Sequence, residues 1–260
     1  MKSFLKKSLS SLLKLPISMK FIKLIEEISQ NYQGKGNGWS TESIENEVNN
    51  CLSLLKINPK NFIDIGANKG EYTKYLLKRK PNLECHIFEP SEKNFEILKN
   101  RFAHHNIFIN KIGLSNSNKK SKLYSDYSGS GIASLTKRRL KHFQVKMNIE
   151  EDIELQRFDN YWKDKDLTLD YIKIDVEGHE LDVIEGFGDL IYRSRLIQFE
   201  FGGCNIDTRT FFQDFWYYFT EKNFLIYRIT PRGPLLIKNY SEKDEYFSTT
   251  NYIALNLKLQ

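Results

Sequence analysis

Asp175, Glu177, His179 and Glu180 crowd the short segment Tyr171-Ile-Lys-Ile-Asp-Val-Glu-Gly-His-Glu180. A carboxylate beside an imidazole can take the proton from a hydroxyl as it attacks an electrophile. Glu200, near the end of the apolar run Leu196-Ile-Gln-Phe-Glu-Phe201, would join this group if the two runs are neighbouring strands. Asp175, Glu200 and then His179 are the candidates for direct chemical roles. His179 could instead cap the helix that starts after Gly178, and Glu180 reads as an exposed helix residue or an ion-pair partner. Asp175, Glu177 and Glu200 could alternatively hold a divalent metal through oxygen ligands. No complete ligand set is visible, so a metal is not favoured.

A second constellation lies upstream, in Asn61-Phe-Ile-Asp-Ile-Gly-Ala-Asn-Lys-Gly-Glu-Tyr-Thr73. A short apolar run, an acid and a loop with glycines at 66 and 70 lead into a helix. Such a loop lets a ligand approach the backbone closely. The closely spaced glycines of a dinucleotide loop, which serve a pyrophosphate, are missing. Asp64 disfavours phosphate and favours a cation. Glu89, in Ile87-Phe-Glu-Pro90, ends the next apolar run, where a carboxylate can accept hydrogen bonds from both hydroxyls of a ribose. Together these residues specify a cationic nucleoside without phosphate, which describes S-adenosylmethionine better than a nicotinamide dinucleotide.

The elements that must hold these groups alternate. Strands are predicted at 62–65, 83–88, 106–110, 150–158, 169–175, 196–201, 224–230 and 251–257. Helices are predicted at 41–55, 70–80, 91–104, 179–187 and 208–222. Residues 111–136, polar and containing Gly129 and Gly131, read as a short hairpin and a loop. This alternation implies a doubly wound α/β domain with a mainly parallel sheet covered on both sides. The aromatic group at 211, 212 and 215–218 reads mostly as core, with some members able to form a wall for a sugar; Trp39 and Trp162 read the same two ways.

The chain has 260 residues, a hydrophobic content of 40% and a net charge of +6. That is enough chain for one large domain with an extension. Residues 1–30 carry six lysines against Glu26 and Glu27, so most of the excess charge is at the N-terminus. A general nucleic-acid binder would spread basic charge over the folded face, so no nucleic-acid partner is expected. The run Lys137-Arg-Arg-Leu-Lys141 is the local exception; it reads as a solvated helix end, or as a contact for an anionic substrate or carrier. Three isolated cysteines, Cys51, Cys85 and Cys204, give neither a disulfide framework nor a zinc site and fit a reducing cytoplasm. No apolar run is long enough to span a membrane. Apolar residues at 4, 5, 9, 12, 13, 21, 22, 25 and 28, with lysines between them, make residues 1–30 amphipathic. They could lie on the inner face of an anionic membrane, pack on the domain as a lid, or form half of a dimer contact.

The segments at 62–70, 87–90, 171–180 and 196–201 resemble those of FkbM-type S-adenosylmethionine-dependent methyltransferases. The resemblance spans about residues 60–255, and the 171–180 segment is its most specific part. It implies a class I methyltransferase sheet of seven strands, the last antiparallel, over residues 41–260, with residues 1–40 as a helical extension and linker. It assigns Asp64, Gly66, Ala67, Asn68 and Gly70 to the methionine end of the cofactor and Glu89 to the ribose. Leu114 and Ser115 fall beside the adenine. The implied activity is O-methylation of a hydroxyl on a small-molecule or glycan acceptor, with a sugar of a bacterial surface polysaccharide, glycolipid or nucleotide-linked precursor first. A secondary metabolite or lipid is the alternative acceptor. A nicotinamide-dependent oxidoreductase and a non-catalytic scaffold are the alternatives from other classes.

Overall fold

A computed structural model of the chain describes residues 19–36, 41–103, 107–163, 165 and 167–260. The expected basic segment before Met19, and Trp39, lie outside these residues.

Short β-rich runs and amphipathic helices alternate as their patterns require. Helices α1 (Met19–Tyr32) and α2 (Thr41–Leu54) precede strand β1 (Asn61–Ile65). Helix α3 (Glu71–Arg79), strand β2 (Glu84–Phe88), helix α4 (Glu92–Arg101) and strand β3 (Ile107–Asn110) follow. Strands β4 (Gly113–Leu114), β5 (Lys119–Ser125) and β6 (Ile149–Gln156) come next, then helix α5 (Phe158–Trp162) and strand β7 (Leu169–Ile174). Helix α6 (Glu180–Glu185), strand β8 (Ser194–Phe201), helices α7 (Cys204–Thr208) and α8 (Phe212–Thr220), and strands β9 (Phe224–Arg228), β10 (Leu235–Leu236) and β11 (Thr250–Asn256) complete the fold.

Among the described residues, the main sheet has the order β10-β9-β11-β8-β7-β1-β2-β3. The pairs of β1 with β2 and β7, of β2 with β3, and of β7 with β8 are parallel. β11 runs antiparallel between β8 and β9. This is the doubly wound arrangement expected of a class I methyltransferase. An eighth strand, β10, appears because residues 235–236 fold back on β9 as a two-residue edge.

Two sequence expectations need correction. The polar stretch after β3 does not close into a simple hairpin. β5 instead pairs antiparallel with the distant β6, β4 joins the other edge of β6, and the hairpin survives as one bridge between Tyr124 and Ser134. The expected helix at 208–222 is also shorter: Arg209 adopts the left-handed conformation (φ 61°) and ends a separate short helix, α7, at Thr208, so that α8 spans Phe212–Thr220. α8 restarts where the Asp214 carboxylate accepts from the Phe211 N–H at 2.8 Å and Glu245 accepts from Phe212 and Gln213.

Strand alternation divides the sheet into two chemically different faces. Ile63, Ile65, Ile172, Ile174, Ile197 and Phe199 form the apolar face under α5, α6 and α8. Trp162 is fully buried there and stacks on Phe158, so it belongs to the core. Phe212 and Phe215 are core as well, whereas Phe211 and Tyr217 are exposed. The opposite face, under α2 and α3, mixes Phe62, Tyr171 and Leu196 with polar side chains. α1 shows the predicted helical pattern but buries none of its residues. Its end is tethered by Tyr32, which accepts a hydrogen bond from Arg232, and by the Gly36 N–H on the Thr249 carbonyl at 2.9 Å. No helix among the described residues is long and apolar enough to cross a membrane.

Phe199 is fully buried between Phe215, Phe219 and Tyr252, with ring centroids 4.8, 5.4 and 5.6 Å away. Truncating it leaves a cavity that its three stacked neighbours cannot close. Phe199→Ala is expected to cost about 3–5 kcal/mol, read as a lowered midpoint of urea unfolding.

Candidate functional site

The site begins where β1 and β7 end side by side. The Asp175 N–H donates to the Ile65 carbonyl at 3.0 Å, continuing the ladder past both strand ends. Gly66 then turns at φ 79°, and a Cβ on it would lie 1.9 Å from the Asp175 carbonyl oxygen. Only glycine allows this contact. The next loop residues are fixed by β2: the N–H groups of Gly66 and Ala67 donate to the Phe88 carbonyl.

Glu89, at the end of β2, is the hinge of the cofactor side. One carboxylate oxygen accepts from the Asn68 N–H at 2.8 Å, and the other accepts from the Ser91 N–H at 2.9 Å. Each oxygen retains a further lone pair for a ligand. Burial pushes this carboxyl up to about 7, against the pull of those two N–H groups. The Asn68 side-chain carbonyl accepts from the Asn94 amide at 3.1 Å, and the buried Asn94 Oδ1 has no partner. The loop at Gly129 and Gly131 folds directly over these two asparagines.

A pocket opens here, with about 620 Å³ of empty space, a volume that includes open solvent. Glu89 and Asn68 line one end, Leu114, Leu135, Ile153 and Leu155 line an apolar wall, and Asp175, Glu177 and His179 close the other end. The second sheet therefore supplies much of the apolar wall, whose residues the sequence reading divided between a hairpin and loop at 111–136 and a separate strand at 150–158. The residues suit a nucleoside with a cationic end: an apolar slot for a base, a rigid carboxylate for ribose hydroxyls, an orphaned acceptor, and an acid-rich mouth.

A second cavity, of about 660 Å³, meets the first at Gly66, Asn68 and Asp175. Glu47, Lys173, Glu200 and Asn251 line it. Lys173 belongs to a cross-strand row on the polar face of the sheet, in which Asp64, Lys173 and Gln198 are successive neighbours on β1, β7 and β8; of the three, Lys173 lines the cavity. Lys173 is buried and donates to Asp175 at 2.9 Å. Burial works against its charge, but Asp175, Asp64 and Glu47 outweigh burial and hold the ammonium above its usual pKa. Glu47, from α2, accepts from the Gln198 amide at 2.6 Å, and burial pushes its carboxyl up to about 7. The Gln198 carbonyl in turn accepts from the hydroxyls of Tyr72 and Tyr171.

The predicted residues separate into clear positions. Asp175 lines both cavities, Glu177 and His179 line the first, and Glu200 lines the second. Ala67 lines the second cavity, whereas Gly70 packs against Leu98 and Phe102. Asp64 is fully buried and lines neither cavity; it accepts from the Thr73 hydroxyl through one oxygen, leaves the other unpartnered, and is raised by burial. Leu114 reaches the first cavity, but Ser115 turns away, its carbonyl against Gly186. Burial and three neighbours, Asp175, Glu177 and Glu180, push Glu200 well above the usual carboxylate range. Glu177 rises to about 8 through burial and Asp175, despite an Arg138 guanidinium at 2.6 Å.

Glu180 corrects the sequence expectation. It is fully buried, and its carboxylate accepts from the N–H groups of Val176 and Gly178 at 3.0 and 3.1 Å, which closes the turn. His179 stands at the start of α6 without capping it through its side chain. Its Nδ1 meets the Asp182 carboxylate at 2.7 Å and its Nε2 meets the Thr136 hydroxyl at 2.9 Å. With Nδ1–H donating to Asp182, Nε2 is the acceptor. Among the described residues, no group of three or more His, Cys, Asp or Glu side chains is arranged to hold a metal ion. Asp175 and Glu177, from the alternative ligand trio, instead pair with Lys173 and Arg138.

Asp182, Lys173, Glu47 and Gln198 were missed by the sequence reading. A lysine and a glutamine inside buried β-runs, Tyr171-Ile-Lys173 and Leu196-Ile-Gln198, were the available signals. So was the three-residue spacing of His179 and Asp182.

No curated protein sequence matches the chain significantly. Among solved structures, the FkbM methyltransferase of Methylobacillus flagellatus KT is 17% identical, with a TM-score of 0.48 over 77% of this chain and 45% of its own. The chain thus spans less than half the length of that protein. TrmK of M. capricolum, solved with S-adenosyl-homocysteine, is 13% identical, with a TM-score of 0.45 over 81% of this chain and 67% of its own. The plantazolicin methyltransferase BpumL, also solved with S-adenosyl-homocysteine, is 11% identical, with a TM-score of 0.45 over 95% and 93%. The model of the methyltransferase FkbM domain matches residues 64–226, more than half of the sequence, a range that contains every predicted site residue from Asp64 to Glu200. The chain belongs to the FkbM family of S-adenosylmethionine-dependent methyltransferases.

Proposed function

We propose that this chain is an O-methyltransferase that methylates a hydroxyl of a sugar, in a bacterial surface polysaccharide, a glycolipid or a nucleotide-linked precursor. Residues 41–260 form the catalytic domain in this reading, with residues 1–40 as an extension. The observation that carries it is the meeting of two cavities at Asp175, one suited to a nucleoside and one lined by hydrogen-bonding groups. A polyhydroxyl acceptor suits the second cavity, where Glu47, Lys173, Glu200 and Asn251 offer both donors and acceptors. The buried, unbridged cysteines suit a cytoplasmic setting.

S-adenosylmethionine, when bound, supplies an activated methyl group on a sulfonium. Glu89 holds the ribose side, and the acid-rich mouth of the first cavity offsets the positive charge. Lys173 occupies one oxygen of Asp175, leaving Oδ1 to accept the proton of the acceptor hydroxyl. Glu200, with its carboxyl held toward the protonated form, donates a hydrogen bond that orients the acceptor. His179, fixed by Asp182 and Thr136, keeps the mouth in place. Alignment and exclusion of water do the remaining work.

Calorimetric titration is expected to show binding of S-adenosylmethionine and none of NAD; the opposite pattern would refute the reading. Glu89→Ala is expected to weaken S-adenosylmethionine binding by about tenfold or more, corresponding to roughly 1.4 kcal/mol or greater. Asp175→Asn and Glu200→Gln are each expected to lower turnover by about a hundredfold or more, because each alters a proton position; Glu200→Gln should nearly keep cofactor affinity, whereas Asp175→Asn, at the mouth of the first cavity, should also weaken it. Full turnover in the double variant would remove both acids from the mechanism.

Stability should also depend on pH in a stated direction. Glu47 and Glu89 hold their protons more tightly in the folded chain, at about 7, than at the usual 4.5. Their stabilising contribution is therefore complete below about pH 4.5 and is lost as pH rises through about 7, on the order of 3 kcal/mol for each group. The ligand-free protein is expected to show a falling Tm from about pH 5 to about pH 8. Added S-adenosylmethionine should restore more Tm at the upper end, because a cation favours the ionised acids. A flat Tm across this window would show that neither carboxyl is perturbed.

A further inference from the structure

Residues 137–148 carry five lysines and arginines, one histidine and no acid. Outside this loop and the basic first thirty residues, acids outnumber lysines and arginines. The loop is a built feature. Leu140 and Met147 are buried beneath it, and the N–H groups of Phe143 and Val145 both donate to the Leu140 carbonyl, at 3.0 and 3.2 Å. Its cations surround an open hollow of about 1330 Å³, a volume that includes solvent. Lys137 pairs with Glu150, and Arg138 pairs with Glu177 and Asp207. Among the described residues, Arg139, Lys141 and Lys146 have no carboxylate within salt-bridge distance, and all three side chains are exposed.

The hollow adjoins the reaction site. Leu135 lines the first cavity just before the loop begins. Thr136 holds His179, and Arg138 grips the Glu177 carboxylate at the cavity mouth. An anion approaching that mouth meets the Asp175 carboxylate and finds no free cation there among the described residues, since Lys173 and Arg138 are already paired, so exposed cations beside the mouth are what would hold it. We propose that this loop is the docking site for a phosphate or diphosphate group on the acceptor, so that the hydroxyl to be methylated lies toward Asp175 while the anionic group rests on Arg139, Lys141 and Lys146. The acceptor's part in this rests on the proposed methyltransferase function, whereas the anion site stands on its own residues. Guanidinium and ammonium groups spread around one hollow fit several phosphate oxygens better than a single carboxylate. A nucleic acid is disfavoured because the basic surface is confined to one loop instead of forming a long stripe.

The test is calorimetric titration of the full chain with inorganic pyrophosphate, UDP and uridine, with S-adenosyl-homocysteine titrated in parallel. Pyrophosphate and UDP are expected to bind, uridine is not, and raised salt should weaken both. The Arg139→Ala, Lys141→Ala, Lys146→Ala triple variant should lose about tenfold or more in both affinities. A glutamine triple variant at the same positions keeps the aliphatic stems and replaces it if the alanine protein does not fold. UDP binding more tightly than pyrophosphate identifies a nucleoside-linked group, and equal affinities identify a diphosphate from another source; both uphold the site. No pyrophosphate binding to the wild type, or unchanged binding in the triple variant, overturns it. Far tighter binding of an oligouridylate than of UDP also overturns it, in favour of a nucleic-acid acceptor. Pyrophosphate binding without S-adenosyl-homocysteine binding would uphold the anion site and refute the methyltransferase reading of the first cavity.

Discussion

The buried ammonium of Lys173 makes the acidic cleft compatible with a folded sheet. Asp64, Asp175 and Glu47 all act on it, and it lies at the centre of the β1–β7–β8 row. Carboxylates withdrawn from water cost several kcal/mol apiece unless they are paired or protonated. The chain uses both remedies. Asp175 is paired with Lys173, whereas Glu47, Glu89 and Glu200 are displaced toward the protonated form by burial. A cationic ligand removes the need for the second remedy. The site is therefore arranged around a charge that the protein itself does not contain.

Backbone packing determines where that charge can sit. Gly66 and the Asp175 carbonyl touch more closely than any side chain would allow, which brings the ends of β1 and β7 together. The loop of one strand and the first acid after the other consequently face the same point. Glu89 fixes the loop from the next strand through two backbone N–H groups. Three parallel strand ends thus act as one rigid edge, with the helices and the small second sheet supplying walls.

The alternation of strands and helices was readable because each central strand is a short, mainly apolar run and each helix has a polar outer side. Glu89 and Asp175 stood out as acids closing such runs, and both line the first cavity; Asp64 stood out in the same way but is buried inside β1 and lines neither cavity. The second sheet was not legible: β5 and β6 are separated by a long loop, and their polar outer residues resemble a surface hairpin. Glu180 was misread because a buried glutamate satisfied by backbone N–H groups has the same local pattern as an exposed one. The role of Glu47 depends on how α2 lies across the sheet, which no local pattern encodes. Lys173 and Gln198 did leave a signal, since a polar residue inside a buried strand requires a partner across the sheet.

The two faces of the sheet divide the labour. The aromatic and aliphatic face under α5, α6 and α8 supplies cohesion and contains the stacked rings around Phe199. The face under α2 gives up part of its apolar burial to hold Asp64, Lys173, Gln198 and Glu47. Methyl transfer demands that acceptor and donor meet in line, within a few tenths of an ångström of the productive geometry. A polar network buried on rigid strands meets that demand better than a surface loop, because each member restrains the next. Asp175 belongs to the network through Lys173 and to both cavities through its position, so the contact that pairs the buried ammonium also fixes a carboxylate where the two cavities meet.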